Sequence, residues 1–210
     1  MQKINLTKDD KDKILSVARL TNKKHRKKSY QAIGGIRGIR DTDYRCEFMK
    51  FPNDFKGASV LDIGCNLGAM CYIAKQRGAG RVVGIDKATT LIETSSAIFD
   101  KYNYDISLIN YDMNKEGYEP LLKILGMKKF DYVFALSIYH HVDDKKVLWN
   151  IINYYCGDTC WFEGHKRNTR EELEENLLLN LNAKKIEFIG NIKDHVRRSI
   201  FKCVFNGIAI

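Results

Sequence analysis

Val60-Leu61-Asp62-Ile63-Gly64-Cys65-Asn66-Leu67-Gly68 is the stretch around which the chain is organised. Val60 to Ile63 is a short apolar run of strand type, and Ala69 to Gln76 has helical composition. Between them Gly64 and Gly68 let backbone approach a ligand with no Cβ intervening. Strand, glycine turn and helix in that order make a ligand cradle. Further on, Arg81-Val82-Val83-Gly84-Ile85-Asp86 is a second β-branched strand. Its closing acid lies about 20 residues beyond the glycines, the spacing at which a carboxylate grips a ribose hydroxyl.

The glycine spacing selects among nucleosides. A dinucleotide loop needs G-x-G-x-x-G to admit a pyrophosphate, and Asn66 stands at the second glycine position, which disfavours NAD and FAD. The pattern D-x-G-x-x-x-G followed by G-I-D resembles motif I and the second-strand acid of class I S-adenosylmethionine (SAM) methyltransferases. The resemblance implies an α/β fold, a Rossmann-like three-layer sandwich with a mostly parallel seven-stranded sheet whose last strand is antiparallel, and an N-terminal helical extension. It also implies SAM as cofactor, held by Asp62, Gly64, Asn66, Gly68, Asp86, Lys87, Asp112, Met113 and Ser137. The alternative is a flavodoxin-like or other doubly wound domain with an incidental glycine turn.

A chain of 210 residues with two prolines and 44% apolar content suits one domain with a substantial core. The division expected is a basic helical arm or lid over residues 1–49 and a methyltransferase domain over 50–210. No apolar run approaches the ~20 residues of a membrane span, and the N-terminus is charged without a signal-like apolar core. A cytoplasmic protein with no membrane partner is expected. The six cysteines lack paired C-x-x-C spacing, which argues against zinc and against a disulfide framework; they read as small buried hydrophobes.

The net charge of +9 is unevenly placed. Residues 1–28 hold ten Lys/Arg against three Asp, a local +7 that leaves +2 for the rest. Thr7 with Asp10 forms a capping box, and Ile14, Val17, Ala18 and Thr21 share one face of the helix that follows. Lys23-Lys24-His25-Arg26-Lys27-Lys28 then reads either as a solvated helix end or as a phosphate-binding patch for RNA or a phosphorylated metabolite. Residues 30–57 read as a polar, flexible approach to the core, a candidate lid. Arg40 and Arg45 there either fork onto a substrate carboxylate or pair at the surface with Asp41, Asp43 or Glu47.

Thr89 to Tyr102 reads as a helix and Ile106 to Asp112 as a third strand ending in an acid. The resemblance assigns Asp112 to the adenine amino group with Met113 against the ring; the local alternative makes Asp112 the N-cap of a helix running to Gly126. Phe130 to Ser137 is a fourth strand that runs into Ile138-Tyr139-His140-His141. F-D-x-V-x-x-L-S-x-x-H-H resembles the corresponding strand of class I enzymes acting on small polar metabolites, and the Tyr-His pair also resembles tRNA wobble-uridine carboxymethyltransferases. N-P-P-Y is absent there, as is a cysteine nucleophile, which leaves an activated oxygen or nitrogen as acceptor.

A helix from Asp143 to Tyr155, a strand Thr159 to Glu163, a capping box Thr169/Glu172 on a helix reaching Leu181, and antiparallel strands Lys185 to Ile189 and Ser199 to Phe205 complete the chain. Catalytic candidates are His140, His141, Tyr139 and Glu163, with His140 first and His141 second as base; Arg40, Arg45 and His165 are candidate substrate contacts. An imidazole with a pKa near 6.5 suits proton acceptance, against the alternative of a histidine buried between helix and sheet. Adjacent histidines diverge and have no third partner at ligand spacing, so no metal is expected. The reading is a SAM-dependent methyltransferase for a small polar metabolite or glycan precursor. The alternatives are an RNA methyltransferase using residues 1–28 and a non-catalytic SAM-binding scaffold.

Overall fold

A computed structural model describes residues 4–21, 29–193 and 196–205. The basic run Lys23 to Lys28 lies outside them, as do the side chains of residues 20 and 21. The chain opens with α1 (Lys8–Thr21), whose N-terminus is closed by reciprocal bonds between Thr7 and Asp10. Ile14 and Ala18 are buried on its inner face. Asp10 also accepts from Lys101 Nζ at 2.8 Å and from the Tyr102 hydroxyl at 2.6 Å, which ties the helix start to the core.

The next segment is built rather than flexible. Strands β1 (Ser29–Gln31) and β2 (Gly38–Arg40) pair parallel, and an Ile33–Ile36 bridge closes the turn between them through Gly34 and Gly35, both at positive φ. Helix α2 (Thr42–Phe48) follows, capped by the Asp41 carboxylate on the Tyr44 N–H.

Strands β3 (Val60–Ile63), β4 (Val82–Asp86), β5 (Ser107–Asn110), β6 (Phe130–Leu136), β7 (Cys156–Glu163), β8 (Lys185–Ile192) and β9 (Arg198–Val204) form a seven-stranded sheet in the order β5-β4-β3-β6-β7-β9-β8. It is parallel except for β9, which runs antiparallel to both neighbours. Alternation along each strand feeds two cores. Val60, Phe134 and Trp161 face one side, with α1, α2, α3 (Ala69–Gln76) and α4 (Thr89–Lys101). Leu61, Val133 and Phe162 face the other, with α6 (Glu119–Leu125), α7 (Lys145–Tyr155) and α8 (Arg170–Asn180). The three layers are those expected, and all six cysteines are free and buried.

Several boundaries differ for local reasons. The single helix expected up to Gly126 is two, because Gly117 takes φ 75° after α5 (Met113–Glu116) and Pro120 begins a new first turn in α6. The third strand stops at Asn110, since the Asp112 side chain leaves the ladder to cap α5 through the Asn114 N–H. Strand β7 starts three residues before Thr159, and β8 runs on to Ile192 past an irregularity at Phe188/Gly190.

Candidate active site

The chain leaves β3 towards β4 and β5 and returns to β6 on the other side, so the carboxyl ends of β3 and β6 flank the point where strand order reverses. Crevices in open α/β sheets form there. A cavity of about 650 Å³ occupies it. Gly64 and Gly68, at φ 79° and 70°, shape the turn beneath the cavity, and a Cβ on Gly64 would stand 2.7 Å from Ile138 Cδ1. Asp86 closes β4. Its Oδ2 accepts the Asn66 N–H and its Oδ1 the Ala88 N–H, both at 2.9 Å. These two bonds fix the carboxylate and leave further lone pairs for ribose hydroxyls.

Gly64, Asn66, Asp86, Lys87, Asp112, Met113 and Ser137 line this one cavity. Asp112 caps α5 and also stands on the wall, so the cap does not remove it from the cavity. Asp62 is not on the wall: it is 2% exposed beneath the turn, receives the Cys71 thiol at 3.6 Å, and burial raises its carboxyl to about 7. Gly68 lies at the start of α3, also behind the wall.

Tyr139, His140 and His141 form a 3-10 turn at the end of β6. His141 is on the main cavity, whereas Tyr139, His140 and His165 line a neighbouring one of about 360 Å³. The three imidazoles cluster, the His140 ring lying 3.8 Å from that of His141, tilted, and 3.9 Å from that of His165, stacked, between ring centres. The first two rings are exposed at the rim, so the buried-histidine alternative does not hold. Desolvation in the crowded turn, then the other two rings, Arg198 and Lys145, hold the His140 pKa well below 6.5; His141 and His165 are also lowered, by desolvation and then chiefly by Lys87 and Arg198 respectively. The imidazoles are therefore neutral at neutral pH, and the same lowering makes each a weaker base than a free imidazole, His140 most of all. Among the described residues no group of three or more His, Cys, Asp or Glu is arranged to hold a metal ion. Tyr139 is nearly buried, its ring 5.5 Å from Trp149 and 5.7 Å from Phe162.

Glu163, Arg40 and Arg45 converge, but inside the protein and off the cavity wall. Glu163 Oε1 accepts from Arg40 Nη2 at 2.6 Å and Oε2 accepts from Arg45 Nη2, with all three side chains 0% exposed. The surface pairings of both arginines with Asp41, Asp43 or Glu47 are replaced by this ion cluster. Burial alone would raise the Glu163 carboxyl; Arg45 and Arg40 outweigh it and bring it to about 2.

Among the wall residues that escaped the sequence reading, three make the polar contacts that shape the site. Tyr30 and Arg198 reach the cavity from β1 and β9. The Tyr30 hydroxyl accepts from Arg40 Nη1 at 3.2 Å and Arg198 Nη1 at 3.3 Å. Burial pushes the phenol pKa up, but the two guanidinium charges carry it below its ordinary value. Asn114 braces the histidine turn, donating to the His141 carbonyl and accepting the Asp143 N–H, each at 2.9 Å. No local pattern marks any of the three: Asn114 acts on partners 27 and 29 residues away, and Tyr30 and Arg198 meet across 168.

The strand order, the glycine turn and the acids at the ends of β4 and β5 are those of the class I SAM-dependent methyltransferase fold, and the wall they make fits SAM as the cofactor. Residues 60–153 match a family model described as a methyltransferase domain. The chain is 30% identical over 116 residues to the mitochondrial ubiquinone biosynthesis O-methyltransferase of Dictyostelium discoideum, across 49% of this chain and 36% of that protein. It is 33% identical over 112 residues to the tRNA U34 carboxymethyltransferase of Colwellia psychrerythraea, across 50% and 33%. It thus spans about a third of the length of these relatives. In fold it resembles the bifunctional kinase-methyltransferase WbdD, with TM-score 0.63 at 17% identity over 90% of this chain and 45% of that one. It also resembles the magnesium protoporphyrin IX methyltransferase ChlM of Synechocystis with bound S-adenosylhomocysteine, with TM-score 0.58 at 13% identity over 78% and 81%.

Proposed function

We propose that the protein transfers the methyl group of SAM to an oxygen or nitrogen of a small polar metabolite or glycan precursor. The observation that carries this is the single cavity in which the nucleoside-type residues Asp86, Asp112 and Met113 share a wall with His141, Ser137 and Arg198. SAM supplies a methyl already activated on a sulfonium, so the chain's residues have only to align an acceptor and take its proton. Asp86 and Asn66 hold the ribose, and Asp112 and Met113 the adenine. His141 is the proton acceptor on this wall, with His140 behind it in the cluster. Ser137, at φ 60°, is held in the left-handed region at the hinge between strand and turn, where a non-glycine residue is strained. The described part of residues 1–49 acts as a lid, with Tyr30 of β1 and Ile39 of β2 supplying one side of the cavity.

The relationship to a ubiquinone biosynthesis O-methyltransferase supports the small-molecule reading, and the tRNA-modifying relative keeps RNA as the second. Labelled SAM incubated with protein and a cell extract, followed by separation by size with and without ribonuclease, decides between them. The proposal expects label in small molecules, insensitive to ribonuclease. Ribonuclease-sensitive label would establish RNA, with binding that falls steeply with salt. No label in any fraction, despite SAM binding, would leave a scaffold.

A further inference from the structure

Arg198 begins β9, is 8% exposed and stands on the cavity wall. Its nitrogens are used unevenly. Nη1 donates to the Ser137 hydroxyl and to the Tyr30 phenol, and lies 3.7 Å from Glu163 Oε1. Nε is buried with no hydrogen-bond partner, and Nη2 makes no hydrogen bond to any described residue. Glu163 does not complete the fork: the guanidinium atom paired with it is Nη1, which lies 3.7 Å from Oε1, beyond hydrogen-bond distance.

Nε and Nη2 form one edge of a planar guanidinium, the geometry that takes a carboxylate or phosphate in two parallel bonds. A buried donor without a partner is costly, and such atoms in a folded protein mark a place that something else completes. The charge of Arg198 acts on His140, His141 and His165 alike, so the residue belongs to the histidine side of the cavity. The Tyr30 phenol stands beside it as a second donor.

We infer that the Nε/Nη2 edge of Arg198, with Tyr30 beside it, seats an anionic group of the methyl acceptor, a carboxylate or a phosphate. The inference rests on the cavity being the methyl-transfer site proposed above. It narrows the acceptor to an acidic or phosphorylated small molecule, anchored by its anion so that a neighbouring oxygen or nitrogen faces the methyl donor and His141.

The test uses the full chain and three probes: S-adenosylhomocysteine, 5′-methylthioadenosine, which lacks the amino-acid carboxylate, and inorganic phosphate. Calorimetry compares wild type with Arg198→Gln. The expected result is that both nucleosides bind the two proteins alike, while phosphate binds the wild-type S-adenosylhomocysteine complex and weakens roughly tenfold or more in the variant. A selective loss of S-adenosylhomocysteine, with methylthioadenosine unchanged, would assign the edge to the cofactor's own carboxylate and overturn the inference. Equal phosphate binding in both proteins, or none in either, would overturn it as well.

Methylthioadenosine binding reports whether the variant is folded. If Arg198→Gln fails that check, Arg198→Lys keeps the charge without the fork and should still lose phosphate. The wild type gives an independent reading: the Arg198 Nε–H resonance should shift when phosphate is added to the S-adenosylhomocysteine complex, and an unmoved resonance counts against the seat. If neither nucleoside binds the wild type, the cavity reading fails and takes the seat with it, a result distinct from the loss of phosphate alone.

Discussion

Glu163→Gln separates a structural carboxylate from a catalytic one. In the folded protein both Glu163 oxygens are engaged by buried guanidinium groups, and the carboxyl is brought from an ordinary 4.5 to about 2. That displacement corresponds to roughly 3 kcal/mol of stability near neutral pH. Breaking a buried ion pair by removing one partner costs about 3–5 kcal/mol, so the two routes agree. Against a typical total of about 5–15 kcal/mol this is a large share. The sign follows from the direction of the shift. A lowered folded-state pKa gives stabilisation that is fully present above the unfolded value, near 4.5, and is lost as pH falls towards 2. Urea titrations of both proteins at pH 7 and pH 3 should therefore show a gap of about 3–5 kcal/mol that narrows at the lower pH. A variant destabilised by less than about 1 kcal/mol that had nevertheless lost methyl transfer would refute the structural assignment and restore Glu163 as a participant in the chemistry.

Asp86→Ala should weaken SAM binding by about 1.5–3 kcal/mol in calorimetry, through loss of a charged acceptor and of the two backbone bonds that fix the turn; unchanged affinity would remove the ribose assignment. Gly64→Ala places a Cβ 2.7 Å from Ile138 Cδ1 at φ 79°, so a loss of about 2–4 kcal/mol is expected in thermal or denaturant unfolding. Adding Ile138→Ala should recover part of the steric share and none of the backbone share; full recovery would show that φ is not strained. Proton NMR of His140 should give a midpoint well below 6.5, so that lowering the pH from 7 to 6 leaves it neutral, and a midpoint at or above 6.5 would contradict the crowding argument. Asn114→Ala removes both braces of the histidine turn and should lower methyl transfer more than SAM affinity, because Asp86, Asp112 and Met113 are left in place.

Much of the fold was legible because it is written in short-range patterns. The Val60–Ile63 strand with its glycine turn, the capping boxes at Thr7/Asp10 and Thr169/Glu172, and the closing antiparallel pair each depend on residues within a few positions of one another. The same holds for the acids at the ends of β4 and β5, whose place on the wall follows once the strands are parallel. The errors were local competitions that the pattern did not resolve, such as Gly117 dividing a helix and Asp112 capping α5 rather than extending β5. What the tertiary structure alone decided is which side chains meet across strand ends. Glu163 lies 123 residues from Arg40 and 118 from Arg45, and the sheet order brings the end of β7 against the segment preceding β3. A lone Glu after a strand and two Arg in a polar segment carry no sign in sequence that they will neutralise one another in the interior. Burial makes that pairing strong, and burial is a property of the packed layers, not of any stretch of chain. For the same reason Tyr30 and Arg198, separated by 168 residues, become neighbours on one wall only when β1 and β9 close over the cavity.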